Sequence, residues 1–258
     1  MPAVLYDVAS HVARITLHRP EKYNAFNTDL AKELLQCLRE AVADPVVRCI
    51  YLTGTGKAFS TGQDISALES LDAATIHRLL TECYNPLITT IRSAPKPVVC
   101  GVNGIAAGAG ANIALSADVV VAAESAVFIQ AFSRIGLVPD SGGTYFLPRL
   151  VGFQKALALA ITGDKVTAAE AERWGMIYKV FADAVFNEET THLCEQLAAM
   201  PTRAIHLIKR AFNQTFQHTL TQQLGVEDEM QQQAAGTSDF MEGVNAFREK
   251  RKAVFRGE

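Results

Sequence analysis

Apolar and polar positions alternate from Val12 to Leu17, the two-residue period of a strand with one buried face, and Pro20 closes that segment. The period then changes. Leu30, Leu34, Leu38 and Val42 recur at helical spacing behind Thr28, which is placed to cap the helix. Val47 to Leu52 (VRCIYL) predicts a second strand, ended by Gly54 and Gly56, and a polar, glycine-containing loop runs on to Asp64. A long helical stretch is expected near Ala73 to Arg92. Pro95 and Pro97 then precede a buried strand, Val98 to Val102, after which Asn103-Gly104 turns the chain into the small-residue segment AAGAGANIALSAD and a further strand, Val119 to Ala122. Beyond Asp140, Gly142 and Gly143 the pattern is helical almost to the end. Thr167 and Glu170 are spaced there as a capping box ahead of Trp174-Gly175-Met176, a helix end packed on the core.

Strands alternating with helices predict an α/β core, and the closing helical run predicts a segment that packs on a neighbouring subunit. The division falls near Pro201, giving a core over 1–200 and a helical oligomerisation region over 201–258. Phe240, Val244, Phe247 and Val254 read as one face of an amphipathic surface helix. With 258 residues, 49% of them hydrophobic, the chain can bury one large core or two closely joined ones, which excludes intrinsic disorder. Lys+Arg number 24 against 27 Asp+Glu, a formal charge of -3, so no broad basic field is present for nucleic acid or an anionic membrane. The five cysteines are dispersed, without zinc-site pairs or disulfide density, and the six histidines show no metal-ligand spacing. Met1 to Val12 carries no basic stretch ahead of an apolar run, and Ser116 and Asp118 interrupt the most apolar region. A soluble, unexported, cytoplasmic protein with reduced thiols is expected.

Three glycine-containing segments are candidates for chemistry. Gly108-Ala109-Gly110 is neither a dinucleotide fingerprint nor a phosphate loop, because the third glycine position falls on Ile113 and no Gly-Lys-Ser/Thr follows. It leads a strand into a helix whose first N–H groups lack partners and can bind a developing anion, although close packing of helix on strand also calls for small residues. Lys57 to Ile65 follows another strand and can supply a converging N–H; the alternative is a plain loop in which Ser60 or Asp64 caps the next helix. Ile135 to Thr144 holds one carboxylate, Asp140, before a Gly-Gly turn. Turn chemistry explains the composition, yet desolvation against Leu137 and Val138 would raise that carboxyl toward neutrality, as a base requires. Ser141 stands ready to hydrogen-bond Asp140 or to cap the following helix.

Together these segments resemble the crotonase, or enoyl-CoA hydratase/isomerase, family over essentially the whole chain. Pro20 to Ala25, Lys57 to Ile65, Val102-Asn103-Gly104 with Ala106 to Gly110, and Phe128 to Gly143 fall in the family's order. The resemblance implies a spiral of ββα units, a C-terminal helical region that builds a trimer or pair of trimers, and an acyl-CoA thioester as ligand. It implies backbone N–H groups of Thr61 and Ala109 as the oxyanion hole. Lys22, Ala25, Ser60, Gly62, Gln63, Asp64, Ile65, Gly108 and Phe132 would line the substrate. No metal or redox cofactor is implied, coenzyme A entering only as part of the substrate.

Departures from the family pattern point to the reaction. The two glutamates that family hydratases carry are replaced by Asn112 and Phe132, and neither a carboxamide nor a phenyl ring can activate water or protonate carbon at neutral pH. The run from Phe132 to Gly143 most resembles the branch that isomerises the ring-1,2-epoxide of phenylacetyl-CoA, in which the aspartate at position 140 is catalytic. A proton shuttle by Asp140, moving a double bond from the 3- to the 2-position or assisting epoxide rearrangement, is the expected activity. Attack by Asp140 as a nucleophile, as in aryl-CoA dehalogenases, and a hydrolytic or carbon–carbon bond-forming role are the catalytic rivals. A non-catalytic RNA-binding or scaffold role is the rival outside catalysis.

Overall fold

The computed structural model describes residues 2–68, 70 and 72–258. Strand β1 (Val4–Ala9), which the sequence pattern did not reveal, forms an antiparallel hairpin with β2 (Val12–Leu17). The two turn residues between them, Ser10 and His11, are both left-handed, as a two-residue hairpin requires. Helix α1 (Thr28–Ala43) follows. Its cap is Asn27 rather than Thr28, because the Asn27 side chain accepts from the Leu30 N–H at 2.9 Å and leaves Thr28 inside the first turn. Leu30, Leu34 and Leu38 then bury completely against Ile15, Leu17, Ile50 and Leu52.

From here the chain repeats one unit. A strand joins a first sheet, the next strand crosses to a second sheet, and helix returns the chain. The pairs are β3 (Cys49–Gly54) with β4 (Ala58–Ser60), β5 (Val98–Val102) with β6 (Ile105–Ala107), and β7 (Val119–Ala123) with β8 (Val127–Ile129). With β9 (Lys165–Thr167) and β10 (Lys179–Phe181) they complete a six-stranded sheet ordered β1-β2-β3-β5-β7-β10 and a four-stranded sheet ordered β4-β6-β8-β9. Neighbouring turns pair in parallel in both sheets. This is a spiral of ββα units. Strands of three residues are too short to show a period in the sequence, which is why β4, β6, β8, β9 and β10 were not anticipated and why the region beyond Asp140 is not wholly helical.

The helical stretch expected near 73–92 is divided. It runs as α2 (Ala73–Arg78), a widened turn from Leu79 to Tyr84, and α3 (Asn85–Ser93). Pro86 has no N–H for the carbonyl four residues back, and Asn85 bonds instead to Leu80 O, the wider spacing of a π turn. Helix α4 (Ala109–Leu115) is wholly buried. Helices α5 (Gly143–Val151), α6 (Phe153–Thr162), α7 (Ala168–Arg173) and α8 (Phe186–Ala198) follow, with the Thr167–Glu170 capping box formed as expected.

Helices α9 (Thr202–Gln214), α10 (Leu220–Ala235) and α11 (Ser238–Glu249) make the C-terminal region. Val254 lies beyond α11 and not on its face. Lys209 on α9 reaches into the core, its Nζ 2.6 Å from Asp118 Oδ2 and 2.9 Å from Lys96 O, while the same carboxylate accepts from the Val98 N–H. A buried ion pair therefore ties the last region to the start of β5. Among the described residues no helix is long and apolar enough to cross a membrane.

Candidate active site

The second sheet and α4 bring four loops together. The first is the turn after β2, whose hub is Asn24, fully buried and left-handed at φ 54°, a conformation asparagine adopts more readily than most residues. Its Nδ2 donates to Thr55 O at 2.9 Å and Ala58 O at 2.8 Å, and its Oδ1 accepts from Arg19 N. Its carbonyl accepts from Ser60 Oγ at 2.8 Å. The Arg19 guanidinium donates to Ala25 O and pairs with Asp64 Oδ2 at 3.2 Å. Hydrogen bonds from Ser66 and Arg19 hold the Asp64 carboxyl below its ordinary range. Ser60 and Asp64 are therefore linkers between loops, and neither caps a helix N–H. Ala25 is buried and Lys22 is exposed on the same turn.

The second loop, Ser60 to Ile65, turns at Gly62 with φ 87°. A Cβ there would sit 2.9 Å from Ala107 O and 3.3 Å from Ala109 N, so only glycine lets this loop lie against the start of α4. Its donors differ from expectation. The Thr61 N–H is engaged by Tyr23 O at 3.2 Å, and the Gly62 N–H by Ser60 Oγ. Gln63 pairs with Phe26 as an isolated bridge built from Phe26 N to Gly62 O and Asp64 N to Phe26 O, an arrangement that leaves the Gln63 N–H unengaged. The donor assigned to Thr61 thus falls on Gln63, two residues on. Its signal in the sequence was only the alternation of a bridge, invisible without the pairing partner. The Gln63 side chain is fixed as well, accepting from the Tyr84 phenol at 2.7 Å.

The third segment enters α4 through Gly108, at φ 53° and ψ -128°. Ala109 is the first helical residue, so its N–H has no intrahelical partner, and Gly62 brings the second loop beside it. Ala109 itself is buried. The Phe132 ring, also buried, ends 3.9 Å from where a Gly108 Cβ would stand and closes this side of the site. Ile65 is exposed at the rim.

The fourth segment carries Asp140. Its carboxylate Oδ1 accepts from Ser141 Oγ at 2.9 Å, so of the two roles open to Ser141 the structure takes the first; α5 has no side-chain cap. Burial pushes the Asp140 carboxyl up to about 6, opposed by the Ser141 hydroxyl and its own backbone N–H. Leu137 and Val138 do not provide that burial, being 41% and 75% exposed. Asp140 has neighbours from other elements. Asn112 Nδ2 donates to Asp140 O at 2.8 Å, and Tyr84, fully buried, feels the Asp140 charge in addition to the burial that raises its own phenol. The arrangement offers one carboxylate raised toward neutrality, linked through Tyr84 to the Gln63 loop and through Asn112 to α4; the Gln63 and Ala109 main-chain donors of those two segments are unengaged.

Comparison with known proteins follows this geometry. The profile of the family described as enoyl-CoA hydratase/isomerase matches residues 7–258. The chain is 41% identical to the 1,2-epoxyphenylacetyl-CoA isomerase of Escherichia coli, with 100% of both chains covered. It is 44% identical to a protein of Rhodobacter capsulatus named a probable enoyl-CoA hydratase, over 98% of each. The crystal structure of an enoyl-CoA hydratase from Bacillus anthracis superposes with a TM-score of 0.92 at 31% identity, covering 99% of this chain and 100% of that one. The names of these relatives divide between isomerase and hydratase, while the fold is common ground: the chain belongs to the enoyl-CoA hydratase/isomerase, or crotonase, family.

Proposed function

We propose that this protein is an acyl-CoA isomerase in which Asp140 carries the migrating proton. The observation that carries the reading is the Asp140 carboxyl, lifted to about 6 by burial and tied to Asn112; the family resemblance sets Asn112 and Phe132 where hydratases would carry glutamates. A carboxylate of that strength is ionised near neutrality and still basic enough to take a proton from carbon acidified by a thioester. The thioester oxygen would accept from the N–H groups of Gln63 and Ala109, which stabilise the enolate as it forms. Asp140 then removes a proton from C2 of a 3-enoyl thioester and returns it to C4, so the double bond moves with no water consumed.

The likeness to the Escherichia coli isomerase supports the ring-1,2-epoxide of phenylacetyl-CoA as the physiological substrate, rearranged to the oxepin. Lys22, Ala25, Ser60, Gly62, Asp64 and Ile65 would line the coenzyme A channel, and Gly108 and Phe132 the acyl end. The chemistry needs neither metal nor redox cofactor, since only a proton and electron pairs within the substrate move. The exposed apolar residues Phe212, Phe216, Leu220 and Leu224 support assembly into trimers or pairs of trimers. Purified protein offered a 3-enoyl-CoA, a 2-enoyl-CoA in water and the epoxide should convert the first and third. Rapid hydration of the second would overturn the reading, and an ester on Asp140 trapped in a single turnover would replace the shuttle by nucleophilic attack.

A further inference from the structure

Asn112 is built into the site by hydrogen bonds at both ends of its side chain. It is fully buried on α4. Nδ2 donates to the backbone carbonyl of Asp140 at 2.8 Å, and Oδ1 accepts from Gln130 Nε2 at 2.8 Å. Gln130 is itself buried, and its donation to Oδ1 fixes which end of the Asn112 amide faces Asp140. The close approach of α5 to this side chain requires glycine at position 143. A Cβ on Gly143 would collide with the Asn112 side-chain amide.

The segment held in this way needs holding. Directly after Asp140 the chain turns through two left-handed residues, Ser141 at φ 50° and Gly142 at φ 77°, the first of which is strained for a residue with a side chain. The Asp140 carbonyl collects two donors across that turn, Asn112 Nδ2 and the Gly143 N–H, both at 2.8 Å. With the main chain pinned from behind, the carboxylate has little freedom beyond its own side-chain torsions. A glutamate at position 112 would present oxygens to the Asp140 carbonyl where a donor is required.

We infer that Asn112, oriented by Gln130, is a positioning residue that fixes Asp140 for proton transfer. This rests on the assignment of Asp140 as the base, and the test separates the two. The Asp140 carboxyl is followed by carbon NMR in protein labelled at the aspartate carboxyl carbon, with no substrate present, in wild type, Asn112→Ala and Gln130→Leu. Turnover of a 3-enoyl-CoA is then measured on the same variants and on the double variant. With the tether removed, the loop relaxes toward water. The Asp140 titration in Asn112→Ala should fall from about 6 toward its ordinary range near 3.8.

The kcat of Asn112→Ala should drop roughly 10- to 100-fold, the loss expected of a misplaced base, with KM within about threefold. Gln130→Leu should lose less, and adding it to Asn112→Ala should cost almost nothing further, because Gln130 acts only through Asn112. An unmoved titration with a merely lower melting temperature, or losses that multiply independently in the double variant, would overturn the inference. A titration that moves in a protein with no isomerase activity would leave the tether standing and remove the proposed reaction instead.

Discussion

The Ser141 hydroxyl donates to Asp140 Oδ1 across 2.9 Å, and it is the largest influence opposing the burial that raises this carboxyl. The pair sets a pH dependence. The base form exists above about 6, so kcat/KM should be flat at neutral pH and fall tenfold per unit below that value as the carboxylate takes up a proton. Removing the hydroxyl in Ser141→Ala withdraws stabilisation of the charged form and should move the acid limb upward. A steady-state pH profile of both proteins checks this, and a limb that moves down would contradict the assignment.

The same burial works against stability. Because the folded Asp140 binds its proton more tightly than the unfolded chain, the native state is penalised progressively from about 3.8 to 6, and the full penalty applies above. At about 1.4 kcal/mol per unit this amounts to at most about 3 kcal/mol. Asp140→Asn should therefore be inactive and, by urea unfolding at pH 8, more stable than wild type, the difference shrinking toward pH 4.

Main-chain donors make their own prediction. Ala109 opens α4, where proline is compatible with a helix, so Ala109→Pro removes one N–H while the helix can persist. A loss in kcat of about 100- to 1000-fold is expected from one missing oxyanion donor. Thr61→Ala, which removes a side chain and keeps the main-chain N–H, should leave kcat within about threefold. Circular dichroism on each variant separates lost chemistry from lost fold.

Burial raises Asp118 and lowers Lys209, so each group of this pair is held charged by the other. Lys209→Met should cost about 3 kcal/mol in urea unfolding by leaving the carboxylate buried, with Arg92 at 3.4 Å and the Val98 N–H at 2.8 Å as its remaining partners. Asp118→Asn with Lys209→Met together should recover part of that loss.

Long periodic elements were legible from the chain alone. The strand of Val12 to Leu17, the helix over Leu30, Leu34 and Leu38 and the buried strand from Val98 all stand where the pattern put them, the first two through a repeated period and the third through an unbroken apolar run behind Pro97. The three-residue strands of the second sheet were not, since pairing rather than pattern defines them. At the site, Asp140 with its hydroxyl partner could be read from adjacent residues. The shift of the free donor from Thr61 to Gln63 could not, because it depends on a bridge to Phe26 from a distant part of the chain. Nor could the surroundings of Asp140: sequence neighbours Leu137 and Val138 face outward, and the tether comes from Asn112 on another element.

The central claim is that Asp140 moves a proton within a coenzyme A thioester. A 3-enoyl-CoA followed in deuterium oxide by mass spectrometry and proton NMR tests it most directly, with Asp140→Asn as the comparison. The account predicts conversion to the 2-enoyl-CoA with no 3-hydroxyacyl product, and a fall of about 1000-fold or more in the variant. Equal rates for the two proteins, or a 3-hydroxyacyl-CoA as the main product, would contradict it.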